Sequence, residues 1–278
     1  MTSGQVTSGR APSEPADDDL TIALHLADVA DSVTLPRFRD ADFTLGWKDD
    51  RTEVTEADRE AESRLADAAL RLRPGIAFVG EEHGRQGPAD TPWTWIVDPI
   101  DGTSGFVRGI PVWATLIALV HAEHGVTTAV VSAPALGRRW WASRGFGSFA
   151  DGRRCRVSDV DTIEAAQISI TFNDGWDRLG LTPALVDLAR RARRPRGFGD
   201  FWQHCLVAEG AVDAAVDAVG VKPHDLAAVR LLVEEAGGTF TDRTGSSTHD
   251  SDTAISSNGR LHAEVLAALA DPARPAGV

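Results

Sequence analysis

Residues 93 to 103 read Trp-Thr-Trp-Ile-Val-Asp-Pro-Ile-Asp-Gly-Thr, an apolar run that ends in two carboxylates on either side of a proline. An apolar stretch of this length, bounded by turn residues, predicts a strand. A strand that delivers Asp98 and Asp101 to the edge of a core needs something to offset their charge. The rigid Pro99 lets the two side chains converge on one side of a tight turn. If a short helix starts just beyond, the backbone amides of Gly102 and Thr103 can hold an anion. A second stretch, Val79-Gly80-Glu81-Glu82-His83-Gly84, closes a predicted strand from Ile76 with two adjacent carboxylates. Burying these is costly unless a cation compensates them. Cation and anion would then share one corner of the molecule.

The rest of the chain alternates helical and strand patterns. The Gly/Ser/Pro-rich residues 1–16 read as a disordered tail, after which Asp17, Asp18 and Asp19 supply a cap and favourable charge for a helix carrying Leu20, Ala23, Leu24, Ala27 and Ala30. A second helix is predicted from Thr55 to Pro74, because Thr55 and Asp58 have the spacing of a capping box. Strands follow at Trp93–Val97, 112–120 and 126–131, then at 168–171 and 254–256, with helices at 183–192, 201–208, 226–236 and 261–270. The order implies an α/β fold of layered helices and sheets. Residues 17–272 form one functional unit, with lobes of about 17–165 and 166–272.

The formal net charge of −13 opposes a nucleic-acid or membrane-surface partner. No apolar run reaches the 18 residues of a membrane span, and the first residues lack the apolar segment of a signal peptide, so a cytoplasmic protein is expected. Cys155 and Cys205 are too few for a disulfide framework and are read as buried thiols.

The motifs together resemble the inositol monophosphatase superfamily. They stand in order as Gly80-Glu81-Glu82, Trp95 to Thr103, and His224-Asp225-Leu226-Ala227 followed by Ala236-Gly237-Gly238. Within that superfamily the chain is most similar to the histidinol-phosphate phosphatases. Val54-Thr55-Glu56-Ala57-Asp58, Phe106-Val107-Arg108-Gly109 and Gly199-Asp200-Phe201-Trp202 are among the strings that carry this likeness. The resemblance implies an α-β-α-β-α sandwich, a homodimer and hydrolysis of a small phosphorylated metabolite. It implies that Glu81, Asp98 and the Ile100 carbonyl hold one Mg²⁺, and that Asp98, Asp101 and Asp225 hold another. Glu81 and Thr103 would position the attacking water, with Asp58 orienting Thr103. Gly102 and Thr103 would bind phosphate, and Asp200, Asp217 and Ser104 would meet the organic part of the substrate.

Elementary chemistry agrees with the metal assignment. Carboxylates and a carbonyl suit Mg²⁺, with Mn²⁺ an alternative, and the lack of a compact His/Cys set argues against zinc. Two or three ions could clamp an in-line displacement. Two carboxylates at Asp200 and Asp217 suit a cationic amino alcohol such as histidinol better than a neutral polyol.

Some residues depart from the family pattern or have plainer explanations. Ser104-Gly105 follows Asp-Gly-Thr where relatives usually carry Lys-Asn or Thr-Asn, and His224 replaces a tryptophan. The segment 216–223 fits relatives only with a one-residue shift, which bears on Asp217. These departures keep open a sugar, octose or cyclitol phosphate as substrate, or a non-catalytic regulatory protein on the same scaffold. A helix cap by itself accounts for Thr55 and Asp58. His224 reads as a packing replacement and the other histidines receive no role. The run Arg190 to Arg196 complements a helix end. Trp140 and Trp141 read as sheet packing or a dimer contact.

Overall fold

The structure, a computed structural model, describes residues 16–48 and 52–270, so the expected tail lies outside the described residues except for Ala16. Helix α1 (Ala16–Asp40) buries Ala23, Leu26, Ala27, Ala30 and Val33, the stripe of an amphipathic helix. It begins at Ala16, so the acidic run falls inside its first turn instead of ahead of it. The antiparallel pair β1 (Leu45–Trp47) and β2 (Glu53–Thr55) leads into α2 (Glu56–Leu72). Thr55 caps α2. Its hydroxyl accepts from the amides of Ala57 at 3.1 Å and Asp58 at 3.4 Å, while the Asp58 carboxylate accepts from the Thr55 amide at 2.8 Å.

A large sheet follows. It contains β3 (Ala77–Gly80), β4 (Gly84–Gln86), β5 (Trp93–Asp101), β6 (Ala114–His121), β7 (Gly125–Ala133), β8 (Arg138–Ser143), β9 (Gly147–Ala150) and β10 (Arg153–Arg154), with the short helix α3 (Thr103–Val107) after β5. The strand order is β10-β9-β8-β7-β6-β5-β3-β4, and every pair is antiparallel except β3 with β5. Its central strands are apolar on both faces because both are covered. In β6, Ala114, Leu116 and Ala118 face one core, while Ile117 and Leu119 face the other.

The second half builds β11 (Gln167–Ile170), α4 (Asp174–Arg178), α5 (Thr182–Arg191), β12 (Arg194–Arg196), α6 (Asp200–Ala208), β13 (Ala214–Val216), α7 (Pro223–Glu235), β14 (Thr239–Thr241), β15 (Ile255–Ser257) and α8 (His262–Ala270). Its sheet runs β12-β11-β13-β15-β14. Helices α1 and α2 cover one face of the large sheet. Helices α6 and α7 lie between the two sheets, and α4, α5 and α8 share an apolar core with the smaller one. The result is an α-β-α-β-α stack, and its α6–α7 layer brings their N-termini to the end of β5. Both cysteines are free and buried. Among the described residues no helix is long and apolar enough to cross a membrane.

Candidate active site

The convergence of Asp98 and Asp101 has a specific backbone cause. Residues three apart on a regular strand point to opposite faces. Between β5 and β6 the register shifts, Asp98 pairing with Leu116 and Asp101 with Ala114, so one extra residue is accommodated on β5. This bulge reverses the alternation and places both carboxylates on one side. It sits at Pro99, which has no N–H to contribute to the ladder. The freed amide of Ile100 turns back to Asp98 Oδ1 at 2.9 Å, and Thr115 Oγ1 donates to the Pro99 carbonyl at 2.8 Å.

Glu81 is held by a residue to which sequence reasoning gave no role. The Glu62 carboxylate is fully buried on α2 and accepts the amides of Glu82 and His83, each at 2.7 Å. Its oxygens occupy the space where a Cβ on Gly80 would lie, which explains the glycine before Glu81. Gly80→Ala is therefore expected to cost about 3 kcal/mol, read as a fall of about 6–12 °C in Tm, and to reduce activity by displacing Glu81. An unchanged Tm would show that the Glu62 contact is loose.

The remaining acids are set by helix starts. Asp58 and Asp225 both stand at the third position of a helix, and each accepts the amide of its N-cap, Thr55 at 2.8 Å and Lys222 at 2.6 Å. Asp101 Oδ2 accepts the Phe201 amide in the first turn of α6 at 2.6 Å. Thr103 opens α3 behind Gly102, whose φ of 85° is left-handed. The Thr103 hydroxyl lies 3.2 Å from Asp58 Oδ1 and 2.9 Å from the Ile100 carbonyl, two acceptors for its one proton.

These elements bring the expected residues together. Glu81, Asp98 and His224 each offer a ligand atom within 4.8 Å of the others, as do Asp98, Asp101 and Asp225, so that Asp98 belongs to both groups. His224 thus faces the acids, its Nε2 3.6 Å from Asp225 and 3.9 Å from Glu81, instead of only filling the space of a larger ring. Lys48 bonds both Glu81 and Glu82, the latter at 2.6 Å. Burial alone would lower its ammonium, but the two carboxylates outweigh that and raise it.

Crowding acids in a core makes their charged forms costly. Burial pushes Asp98 well above the ordinary range, and the charges of Glu81, Asp101 and Asp225 push it further. Asp101 is raised by burial and then by Asp200 and Asp225. Asp225 is raised by burial despite the opposing effects of His224 and the Lys222 amide. Asp58 is pushed up to about 6, chiefly by burial. Like charges in two groups that share Asp98, one of three carboxylates and the other of two carboxylates with the His224 imidazole, fit divalent cations.

Two cavities open onto the acids. One, of about 530 Å³, is lined by Trp47, Glu81, Thr103, Ser104, Asp200 and His224, among others. The other, of about 240 Å³, is lined by Asp101, Asp200, Asp217 and Asp225 together with apolar residues. Asp200 adopts a left-handed φ of 46°, uncommon outside glycine, Asn and Asp. A Cβ on Gly102 would come within 3.3 Å of its Oδ2. Burial, and then Asp217 and Asp225, push Asp200 up to about 6. The Ser104 hydroxyl and carbonyl are bonded by Arg108, at 2.8 and 2.7 Å.

A family model described as "Inositol monophosphatase family" matches residues 17–273. The chain is 48% identical to the histidinol-phosphatase of Mycobacterium tuberculosis, covering 91% of this chain and 98% of that protein. It is 44% identical to the histidinol-phosphatase of Streptomyces coelicolor, covering 91% and 97%. Its structure is similar to that of the Thermotoga maritima IMPase, with a TM-score of 0.82, 30% identity and coverage of 94% and 100%. It is also similar to the extragenic suppressor protein suhB from Bartonella henselae, with a TM-score of 0.84, 27% identity and coverage of 90% and 98%. The fold, the ordered motifs and these likenesses agree: the chain is a metal-dependent phosphoric monoester hydrolase and belongs to the inositol monophosphatase family.

Proposed function

We propose that this hydrolase uses Mg²⁺, or Mn²⁺ in its place, and that its substrate is the phosphate ester of a cationic amino alcohol, with histidinol phosphate the best candidate. The observation that carries the substrate assignment is the pair Asp200 and Asp217, which share a cavity with the acid cluster. The two histidinol-phosphatase relatives support it.

Glu81, Asp98 and the Ile100 carbonyl would hold one cation, with the His224 imidazole within reach of the same two acids, and Asp98, Asp101 and Asp225 would hold another. Bound there, such cations supply Lewis-acid polarisation of the phosphoryl group and make water a stronger nucleophile. The chain's own residues orient the reaction. With its proton drawn toward Asp58 or Ile100, Thr103 Oγ1 turns a lone pair outward and accepts a hydrogen bond from the attacking water beside Glu81. The amides of Gly102 and Thr103 meet charge on the phosphoryl oxygens. The carboxylates of Asp200 and Asp217 attract the ammonium of the alcohol, and Ser104 lies at the cavity edge.

Asp200→Asn is expected to raise KM for histidinol phosphate about tenfold while changing kcat and the metal requirement little. An unchanged KM would remove the charge-recognition argument. His224 and Ser104, both departures from the family pattern, line the larger cavity and support a second substrate assignment, a sugar or cyclitol phosphate. Relative kcat/KM over a panel of amino-alcohol, polyol and sugar phosphates separates the two. A homodimer and a cytoplasmic location belong to the same proposal, as does the division into a tail and one phosphatase domain with two lobes.

A further inference from the structure

Behind the substrate cavity stands a buried chain of three polar side chains. His204 on α6 is 1% exposed, and its Nε2 lies 2.9 Å from Asp217 Oδ2 while its Nδ1 lies 2.8 Å from Ser256 Oγ. A carboxylate can only accept, so Nε2 carries the proton, and the Ser256 hydroxyl then donates to Nδ1. Asp217 thereby fixes the tautomer, and the rotatable hydroxyl of Ser256 on β15 completes the chain. The composition is that of a hydrolytic triad, but Ser256 is 0% exposed, so no substrate can reach it as a nucleophile. The chain ends instead on Asp217, the one member that lines the cavity.

Asp217 is held on every other side as well. Its Oδ1 accepts the Ala218 amide at 2.8 Å, its own amide donates to the Ala254 carbonyl at 2.9 Å, and its carbonyl accepts Trp176 Nε1 at 3.1 Å. The imidazole thus supplies the side-chain bond to the second carboxylate oxygen. We propose that His204 is a positioning residue that aims the Asp217 carboxylate into the 240 Å³ cavity and so sets the preference for a cationic over a neutral alcohol, an inference that rests on the proposed substrate class. A buried histidine that served packing alone would affect both kinds of ester alike. One that orients a charge affects their ratio.

The test compares kcat/KM for histidinol phosphate and for glycerol 2-phosphate in the wild type, His204→Met, His204→Gln, Asp217→Asn and the double variant His204→Met/Asp217→Asn. Glutamine places an amide N–H where Nε2–H stood, whereas methionine offers no donor. The ratio of the two specificity constants is expected to fall about tenfold in His204→Met and to return within about threefold in His204→Gln. In the double variant it should match Asp217→Asn alone, because the two residues act through one carboxylate. A ratio unmoved by His204→Met, or additive effects in the double variant, would overturn the proposal. If His204→Met does not fold, His204→Asn, whose amide cannot reach Asp217, replaces it. Equal ratios for the Gln and Asn variants would again overturn it. Should the wild type show no preference for the cationic ester, the substrate assignment fails separately. Coupling of His204 with Asp217 on the best ester then decides the positioning role, and additivity there excludes it.

Discussion

Asp98→Asn is expected to lose phosphatase activity by about 10³-fold, about 4 kcal/mol of transition-state stabilisation, while its metal-free form unfolds at a higher temperature than the wild type. The two effects have one cause. Asp98 belongs to both groups of candidate ligands, so its loss weakens both at once. In the metal-free fold the same carboxylate is a liability, 2% exposed and surrounded by Glu81, Asp101, Asp225 and Asp58. Its carboxyl is raised above the ordinary range, as are those of Asp58 and Asp200, both pushed to about 6. For groups raised in this way the fold retains protons that the unfolded chain has released. Their contribution to stability is complete below the ordinary carboxylate range, about pH 4, and is lost as pH climbs through the raised values. The metal-free Tm should therefore fall between about pH 4 and 7, and fall less in Asp98→Asn. Thermal unfolding in a chelator across that range checks the sign. Wild-type activity in Asp98→Asn would remove this cluster from the chemistry.

Thr103→Val should reduce kcat about 100-fold with KM within about threefold, whereas Thr103→Ser should keep most of the rate. The hydroxyl is placed by Asp58 and the Ile100 carbonyl, and Asp58 is in turn pinned by Thr55 through a hydroxyl bond of 2.6 Å and an amide bond of 2.8 Å. Valine keeps the shape and removes the oxygen, so the loss would be confined to the chemical step. Single-turnover kinetics measures that step directly. Equal loss in the serine variant would indicate that packing, and not the hydroxyl, is what matters.

The elements that fold by short-range rules could be read from the sequence. The capping box at Thr55 and Asp58, the apolar runs of β5, β6 and β7 and the turn residues around them each carry a local signal. Strand β8 carries none, since Arg138-Arg139-Trp140-Trp141 lacks a clean alternation. Its identity depends on distant partners: Trp140 is fully buried with Nε1 on Glu209 at 2.7 Å, and Arg139 reaches Asp28 and Asp31 on α1. Strands β12, β13 and β14 are three residues each, too short for periodicity. The basic run divides between the last turn of α5 and β12, and Arg191 pairs with Glu164 and Glu264.

At the site, spacing alone could place Asp98 and Asp101 in one turn, but the bulge that turns them to one side appears only in the pairing with β6. Glu62 and His204 were hidden for the same reason, since each acts through a residue far away in sequence. Glu62 did leave a trace: it lies one turn after Asp58 on the buried face of α2, where a carboxylate among alanines needs a partner. Asp58 showed that a cap and a site residue can be the same side chain, because its two oxygens divide between Thr55 and Thr103.

The most direct measurement is a crystal structure of the protein soaked in Mn²⁺, with anomalous scattering recorded at the manganese edge. The convergence of these acids on divalent ions predicts at least one strong peak within about 2.5 Å of oxygens from Asp98 and from Glu81 or Asp225. A map with no peak among those side chains, from crystals that take up manganese elsewhere, would contradict it.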